Sequence, residues 1–149
     1  MVSESFFSRF AGFKPNPSVP AKDEFARLAH ARNWKENGGK YRKEWAKFIA
    51  WEFSKHYGPQ ATKLENWQSL CHGVGIEDGI ESITKCKKAL KSVHVNIVDL
   101  VDARRTGKKV KTFRSQAALR NYTLRTERIF PKNAAKEDGF LKALLREIF

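Results

Sequence analysis

The sequence has few cysteines and no long run of apolar residues. Its 149 residues include 2 Cys and 1 Met, and no segment approaches the roughly 20 consecutive apolar residues that a membrane-spanning helix needs. The N-terminus carries Glu4 and lacks a continuous apolar stretch, so we expect no membrane association and no conventional secretory signal. Cys71 and Cys86 each fall at an apolar position of a helical pattern, which predicts small reduced core residues. A disulfide framework is excluded, whereas a single bridge between the two stays open.

Motifs of catalysis and metal binding are missing as well. Cys71 and His72 are adjacent and would point about 100° apart on a helix, so they do not form a nucleophile with its base. No pair of cysteines has the short Cys-x-x-Cys spacing of a zinc site. Gly73, Gly75 and Gly79 follow a helix rather than a strand, which predicts a turn instead of a phosphate-binding loop. We therefore predict a protein that is not an enzyme and that has no cofactor and no metal site.

Acidic residues are in the minority. Lys and Arg number 29 against 16 Asp and Glu, which gives a formal net charge of +13. Residues 84–149 contain 17 basic and 6 acidic residues and so carry +11, while residues 1–83 carry the remaining +2. A charge of this size attracts phosphate polymers or acidic proteins by long-range steering. We expect an anionic partner that binds the latter half of the chain.

Apolar residues are nevertheless abundant enough for a folded core. They make up 41% of the chain, and aromatic residues make up 12%, which is too much for a disordered tail. A chain of this length usually forms one domain. The apolar residues recur at helical spacing between Gly- and Pro-containing breaks. The predicted fold is a compact all-α domain of six or seven helices, with residues 1–20 as an aromatic arm and Pro-rich linker and residues 21–149 as the helical domain.

The helix boundaries follow from caps and breaks. We predict helices near residues 21–34, 41–57, 62–74, 82–93, 96–106, 115–130 and 140–148. The expected N-cap residues are Thr62, Ser82, Asn96 and Ser115, and Gly107 is expected to end the fifth helix. The β-branched residues between 93 and 98 make a strand the competing interpretation of that helix, and residues 108–113 are expected to be extended.

Four phenylalanines mark the N-terminal arm. Phe6, Phe7, Phe10 and Phe13 would form one apolar stripe on a helix, and a linker with three prolines follows at residues 14–20,. An amphipathic peptide on a tether can dock in a groove of another protein. The alternative function is therefore a protein-interaction module that uses this arm, either on a partner or, by self-association, in a homodimer.

Three groups of basic residues are candidates for binding a polyanion. The first, in and around a Gly-containing loop, consists of Arg104, Arg105, Lys108, Lys109, Lys111 and Arg114. The second lies on the predicted helix 115–130, opposite the apolar face of Leu119, Tyr122, Ile129 and Phe130, and consists of Arg120, Arg125 and Arg128. The third is a reinforcing helix exterior with Lys85 and Lys88. Each group could equally be a solvated surface. Residues 108–111 also fit the Lys-Lys-x-Lys pattern of a nuclear-import peptide.

Several strings of the sequence point to a family. Residues 6–17 (FFSRFAGFKPNP), 24–29 (EFARLA), 93–102 (VHVNIVDLVD) and 139–145 (GFLKALL) resemble a group of small uncharacterised fungal proteins. The resemblance spans nearly the whole chain and implies a fungal origin and one self-contained domain. It supplies no functional residues.

The charge distribution leads to the main functional prediction. We expect a non-enzymatic nuclear or cytoplasmic binding protein whose C-terminal half contacts DNA, RNA or chromatin, with an acidic protein as the competing partner. Phosphate contacts carry little sequence information, and no known groove-reading motif is present, so little base specificity is expected.

Overall fold

The computed structural model describes residues 6–57, 62–76 and 79–130. A 3₁₀ turn (Phe6–Arg9), six α-helices and a two-stranded antiparallel sheet make up this part of the chain, which confirms the predicted all-α fold. The helices are α1 (Ala21–Ala31), α2 (Gly39–Tyr57), α3 (Leu64–Gly73), α4 (Ile83–Leu90), α5 (Ile97–Thr106) and α6 (Gln116–Thr126). The predicted helix at residues 140–148 lies outside the described residues.

Three of the predicted N-caps are confirmed. Ser82, Asn96 and Ser115 have extended backbones, and their side-chain oxygens accept the backbone N–H of the residue three positions later, at 3.2, 3.0 and 3.1 Å. Each satisfies a donor that has no partner within the first helical turn. Gly107 ends α5 in the left-handed region at φ 75°. The prediction for Thr62 was wrong, because α3 begins after Lys63 and has no side-chain cap.

Both interpretations of residues 93–98 are partly correct. His94–Val95 form strand β1, which pairs with β2 (Thr112–Phe113), with His94 opposite Phe113 and Val95 opposite Thr112. The strand stops at Asn96, because its side chain caps α5 and turns the chain into the helix. The predicted extended segment 108–113 therefore ends in the second strand of this small sheet.

The prediction that the sixth helix reaches Phe130 was wrong. α6 ends at Thr126, where Glu127 adopts a left-handed backbone (φ 56°). The chain then turns back, so Ile129 is half exposed while Phe130 is buried. Lys22 Nζ donates to the carbonyl oxygens of Thr126 and Glu127, at 3.5 and 3.4 Å. These contacts satisfy helix-end carbonyls that a continuing helix would have used.

The core is centred on α2 and holds the N-terminal arm. Phe25, Phe48 and Phe53 are fully buried, and the rings of Phe6 and Phe7 lie 5.3 and 5.1 Å from that of Phe48. Phe6 and Phe7 are themselves buried. The arm thus packs as a 3₁₀ turn against the helices of its own chain.

The two cysteines are free thiols buried in this core. Burial, followed by the neighbouring Cys86, raises the pKa of Cys71 to about 12. A thiol with so high a pKa stays protonated at neutral pH and is a poor nucleophile. In the described ranges no helix combines the length and apolar character needed to cross a membrane.

Candidate functional site

The acidic residues around the basic segments point inward. Between Glu81 and Glu127 the sequence has two acids, Asp99 and Asp102. Arg128 Nη1 donates to Asp99 Oδ1 at 3.0 Å and to Asp102 Oδ2 at 2.9 Å, and Asp102 also accepts the backbone N–H of Ala21 at 2.7 Å. Both carboxylates are therefore neutralised within the fold.

Arg128 does not belong to the exposed basic residues that the helical projection predicted. Its side chain is 30% exposed and bridges the two aspartates, because the left-handed turn at Glu127 takes it off the axis of α6. Burial lowers its pKa, but the attraction of Asp99 and Asp102 is greater, and the net pKa is raised. The guanidinium is thus a structural counterion for α5.

Arg105 is a second departure from the predicted site. Its side chain is 2% exposed. Nη1 donates to Glu52 Oε1 at 2.6 Å, while Nε and Nη2 donate to the carbonyl oxygens of Val19 and Asn16, at 2.7 and 3.0 Å. Glu24 Oε2 lies 3.9 Å from Nη2. A guanidinium enclosed in this way ties α5 to α2 and to the linker, and no polyanion can reach it.

The other predicted basic residues are exposed. They are Lys85, Lys88, Arg104, Lys108, Lys109, Lys111, Arg114, Arg120 and Arg125. Residues 103–126 contain no acid at all. The outer surface of this stretch therefore carries cations whose charge is not offset by neighbouring carboxylates in the sequence.

Six of these cations belong to one substructure. β2 pairs with β1, and α6 contacts both strands. The loop before β2 carries Lys108, Lys109 and Lys111, Arg114 directly follows β2, and Arg120 and Arg125 lie on α6. We call the outer surface of β2, the loop before it and α6, which presents these six cations, the hairpin–α6 surface; its two strands pair antiparallel as in a hairpin but are connected through α5. Lys85 and Lys88 lie on α4, which leads within a few residues into β1.

Arg104 is exposed but faces other helices. Its Nη2 donates to Ser69 Oγ on α3 at 3.0 Å, and its guanidinium lies 4.9 Å from the ring centre of Tyr57 on α2. The two adjacent arginines of α5 thus leave the helix in different directions. We therefore do not count Arg104 or Arg105 among the cations of the hairpin–α6 surface.

A pair of aromatic rings lies within the hairpin–α6 surface. The ring centroids of Phe113 on β2 and Tyr122 on α6 are 4.8 Å apart. Lys111 Nζ lies over both rings, 5.2 Å from the centroid of Phe113 and 5.7 Å from that of Tyr122. Burial raises the pKa of Tyr122 to about 12, with a further contribution from the hydrogen bond to Asp99. The phenol therefore remains a neutral donor at physiological pH.

The outer face of α6 is mixed in character. Arg120 and Arg125 are exposed at positions about 140° apart around the helix,, and Leu124, 59% exposed, lies between them. Leu119 faces inward and is buried. The predicted division of this helix into a packed face and a guanidinium face therefore holds for Leu119, Arg120 and Arg125.

The four phenylalanines of the arm contact their own chain. Phe7 stacks on Phe13 at 5.2 Å, and Phe10 meets Trp34 edge-on at 5.5 Å. Two arginines cover the outer rings: Arg32, directly after α1, lies over Phe10, and Arg27 of α1 lies over Phe13, at 5.1 and 4.6 Å. A partner can reach these rings after the arm leaves its own core.

A groove of about 760 Å³ lies away from the basic loop, between the start of α2 and residues 127–129. Tyr41, Trp45 and Ile129 supply apolar walls, while Glu36 and Arg42 supply charges of both signs. Lys22, Lys43 and Glu127 add further charges of both signs to its lining. Among the described residues no three His, Cys, Asp or Glu side chains are gathered to hold a metal ion.

Buried carboxylates are the feature that sequence reasoning missed. Glu24, Glu44 and Glu52 are each about 1% exposed or less. Glu44 and Glu52 flank the core residue Phe48 at intervals of four residues, so they lie on the apolar face of α2. Carboxylates in such positions require buried counterions, and this pattern could have predicted a basic partner such as Arg105.

The chain was compared with known proteins in three ways. No protein-family model, no curated protein and no solved structure matches it.

Proposed function

We propose that the chain is a non-enzymatic nucleic-acid-binding protein that contacts DNA, RNA or chromatin through the phosphates, using the hairpin–α6 surface. Lys85 and Lys88 reinforce the attraction from α4. A nuclear location fits the exposed string at residues 108–111, whose Lys-Lys-x-Lys pattern is typical of import signals,. The role needs no catalytic group.

The segregation of charge is the observation that carries this proposal. Asp99 and Asp102 bind Arg128 inside the fold, while the cations of residues 108–125 point outward. Exposed cations without nearby carboxylates attract phosphate groups and release the counterions condensed on a nucleic acid. With Asp99 and Asp102 turned outward instead, the field of these cations would be weaker.

The chemistry of the surface favours a nucleic acid over an acidic protein. Stable protein interfaces have a central apolar patch with aromatic or aliphatic anchors. On the hairpin–α6 surface Leu124 is the large apolar side chain that is mostly exposed, and the two aromatic rings, Phe113 and Tyr122, are partly buried against each other. Six lysines and arginines distributed over residues 108–125 suit a repeating phosphate backbone instead,. Such contacts position a polymer and carry little sequence information, so weak sequence preference is expected.

Charge reversal tests the proposal. The triple variant Lys108→Glu, Lys109→Glu and Lys111→Glu should lower the affinity for a labelled 20-nucleotide strand by at least about a hundredfold at low salt, because three attractions become repulsions. Its thermal stability should stay close to that of the wild type, since all three side chains are exposed,.

The first half of the chain offers a matched control. Lys14, Lys35 and Lys43 are exposed, and changing all three to Glu alters the net charge by the same amount. This control should keep most of the affinity. Equal losses in the two triple variants would show that overall charge, rather than this surface, attracts the ligand. An affinity that neither variant changes would remove the proposal.

A further inference from the structure

We propose that Phe113 and Tyr122 form a stacking platform for an unpaired base, so that the ligand of the hairpin–α6 surface is single-stranded nucleic acid. This inference rests on the proposed function and specifies the ligand class. It follows from the positions of two rings, one lysine and one aspartate.

The two rings are not required to fill the main core. Phe25, Phe48 and Phe53 are fully buried in it, whereas Phe113 and Tyr122 are each only partly buried and lie outside the core cluster and the apolar residues packed against it. Their centroids are 4.8 Å apart with 43° between the planes. The result is a small aromatic surface at the junction of β2 and α6.

The platform is held in position from behind. Asp99, whose proximity helps to raise the pKa of Tyr122, accepts a hydrogen bond from Arg128 at 3.0 Å, and α6, which carries Tyr122, contacts both strands. Phe113 is fixed by the pairing of β2 with β1. Rings that are already ordered lose little conformational freedom when a ligand binds, so more of the contact energy remains for affinity.

Lys111 now occupies the position that a base would take. Its ammonium group lies 5.2 and 5.7 Å from the two ring centroids, the range of a cation–π contact. A cation on a flexible stem can move aside to a phosphate, and the ring then becomes free to stack on the adjacent base. Lys111 and Arg114 flank Phe113 in the sequence and suit the phosphates on either side of that base.

The arrangement fits a single strand better than a duplex. Bases in a duplex are stacked on one another and are not presented to a protein ring without being unstacked. Proteins that bind single strands combine a cationic surface with aromatic side chains, and removal of one stacking ring typically weakens binding by roughly ten- to one-hundredfold. Every base has a flat face, so stacking of this kind tolerates many sequences.

The test compares three labelled ligands of equal length on the full 149-residue chain. They are oligothymidine, an abasic strand with the same phosphates, and a duplex. The wild type should bind oligothymidine roughly tenfold or more tightly than the abasic strand. Phe113→Leu and Tyr122→Leu should each remove most of this difference and leave the abasic affinity unchanged, because they delete a ring and keep all the cations.

Two further variants keep the test valid if a leucine variant folds poorly. Tyr122→Phe keeps the ring and loses only the hydroxyl, so it should retain the preference for bases. Phe113→Trp keeps an aromatic face, and oligothymidine should quench the fluorescence of this variant more than that of the wild type, which has four other tryptophans, whereas the abasic strand should quench both equally.

The outcomes separate the two proposals. If the wild type binds oligothymidine and the abasic strand equally, or if the leucine variants keep the preference, the stacking platform is wrong while phosphate binding stands. A wild type that prefers the duplex also overturns the platform. If the wild type binds none of the three ligands, the proposed function itself fails, and an acidic protein becomes the partner to test.

Discussion

Arg105 and the hairpin–α6 surface use positive charge in opposite ways. Arg105 is enclosed by Glu52, Glu24 and the linker carbonyls of Asn16 and Val19, whereas the cations of residues 108–125 have exposed side chains. The two regions are separated by one residue pair, Thr106–Gly107, in the sequence. Net charge alone therefore does not locate a binding surface: the positions of the acids decide which cations are available.

The two halves of the chain also differ in where their charged residues lie. Three glutamates of the first half are buried and each contacts a basic side chain: Glu24 meets Arg27, Glu44 meets Arg9, and Glu52 meets Arg105. In each pair the basic side chain offsets the charge of the buried carboxylate. The second half contributes one of the basic partners and keeps most of its cations on the surface.

Removing Arg105 should have the largest effect on stability. Arg105→Ala leaves Glu52 buried without its main counterion, and we expect a loss of about 3–5 kcal/mol in the free energy of unfolding. Urea denaturation measures this loss. The neighbouring Arg104→Ala is the control and should cost about 1 kcal/mol or less, because Arg104 is exposed. Similar values for both variants would contradict the distinction between the two arginines.

Removing one phenylalanine ring of the arm should have the next largest effect on stability. Phe7 is buried against Phe48 and Phe13, so Phe7→Ala should cost about 3 kcal/mol by leaving a cavity. Unfolding in urea gives the value, and gel filtration of the same variant reports self-association. An unchanged stability would mean that the arm contributes little to its own core, and would favour the alternative function in which it docks on another chain.

Replacing Arg128 should lower the free energy of unfolding by less, and the size of this loss should depend on pH. Arg128→Ala leaves Asp99 and Asp102 facing each other without a counterion, which should cost about 2 kcal/mol at pH 7. Burial already raises the pKa of Asp102, against the opposing hydrogen bonds from Ala21 and Arg128. An acid with a raised folded pKa binds protons more readily when folded, so the loss should shrink as the pH falls.

Unfolding at pH 7 and pH 4 tests this pH dependence. The exposed Arg125→Ala is the control and should change stability little at either pH. An Arg128→Ala loss of equal size at both pH values would mean that the repulsion between Asp99 and Asp102 is not its cause.

Replacing Glu44 should have the smallest effect on stability, and this effect should appear at acidic pH. Burial alone would raise its pKa, but hydrogen bonds from Arg9 and Lys40 outweigh burial, and the pKa is lowered. A lowered folded pKa adds stability above the unfolded value near 4.5, and this contribution disappears as the pH falls through the folded value. Glu44→Gln should therefore lose stability less steeply than the wild type below about pH 5. If the stabilities of the wild type and of Glu44→Gln fell in parallel with decreasing pH, the ionised form of Glu44 would not be a source of stability.

Local signals predicted much of the fold. Ser82, Asn96 and Ser115 could be identified as caps because a cap depends on a few neighbouring residues. The end of α6 could not, because the turn at Glu127 is fixed by distant contacts of Lys22 and Arg128 with other helices. The apolar residues of the sequence keep their helical spacing past that turn, so this spacing predicted a helix end at Phe130 instead of Thr126.

The candidate site was predictable in outline only. A run of basic residues without acids is visible in the sequence, so the loop at residues 108–111 could be identified. Which arginines face solvent depends on the fold: Arg105 and Arg128 are distinguished from Arg104 and Arg125 by carboxylates far away in the sequence. The contact between Phe113 and Tyr122 likewise requires β2 to pack on α6.

The dependence of binding on salt tests the central claim most directly. Affinity for the 20-nucleotide strand should be measured between about 50 and 300 mM salt, for the wild type and for the triple variant of Lys108, Lys109 and Lys111. If four to six cations of the hairpin–α6 surface contact phosphates, log affinity against log salt should have a slope of roughly −3 to −4 for this single strand, and a much shallower slope in the variant. A flat wild-type slope, or one that the variant leaves unchanged, would contradict the account.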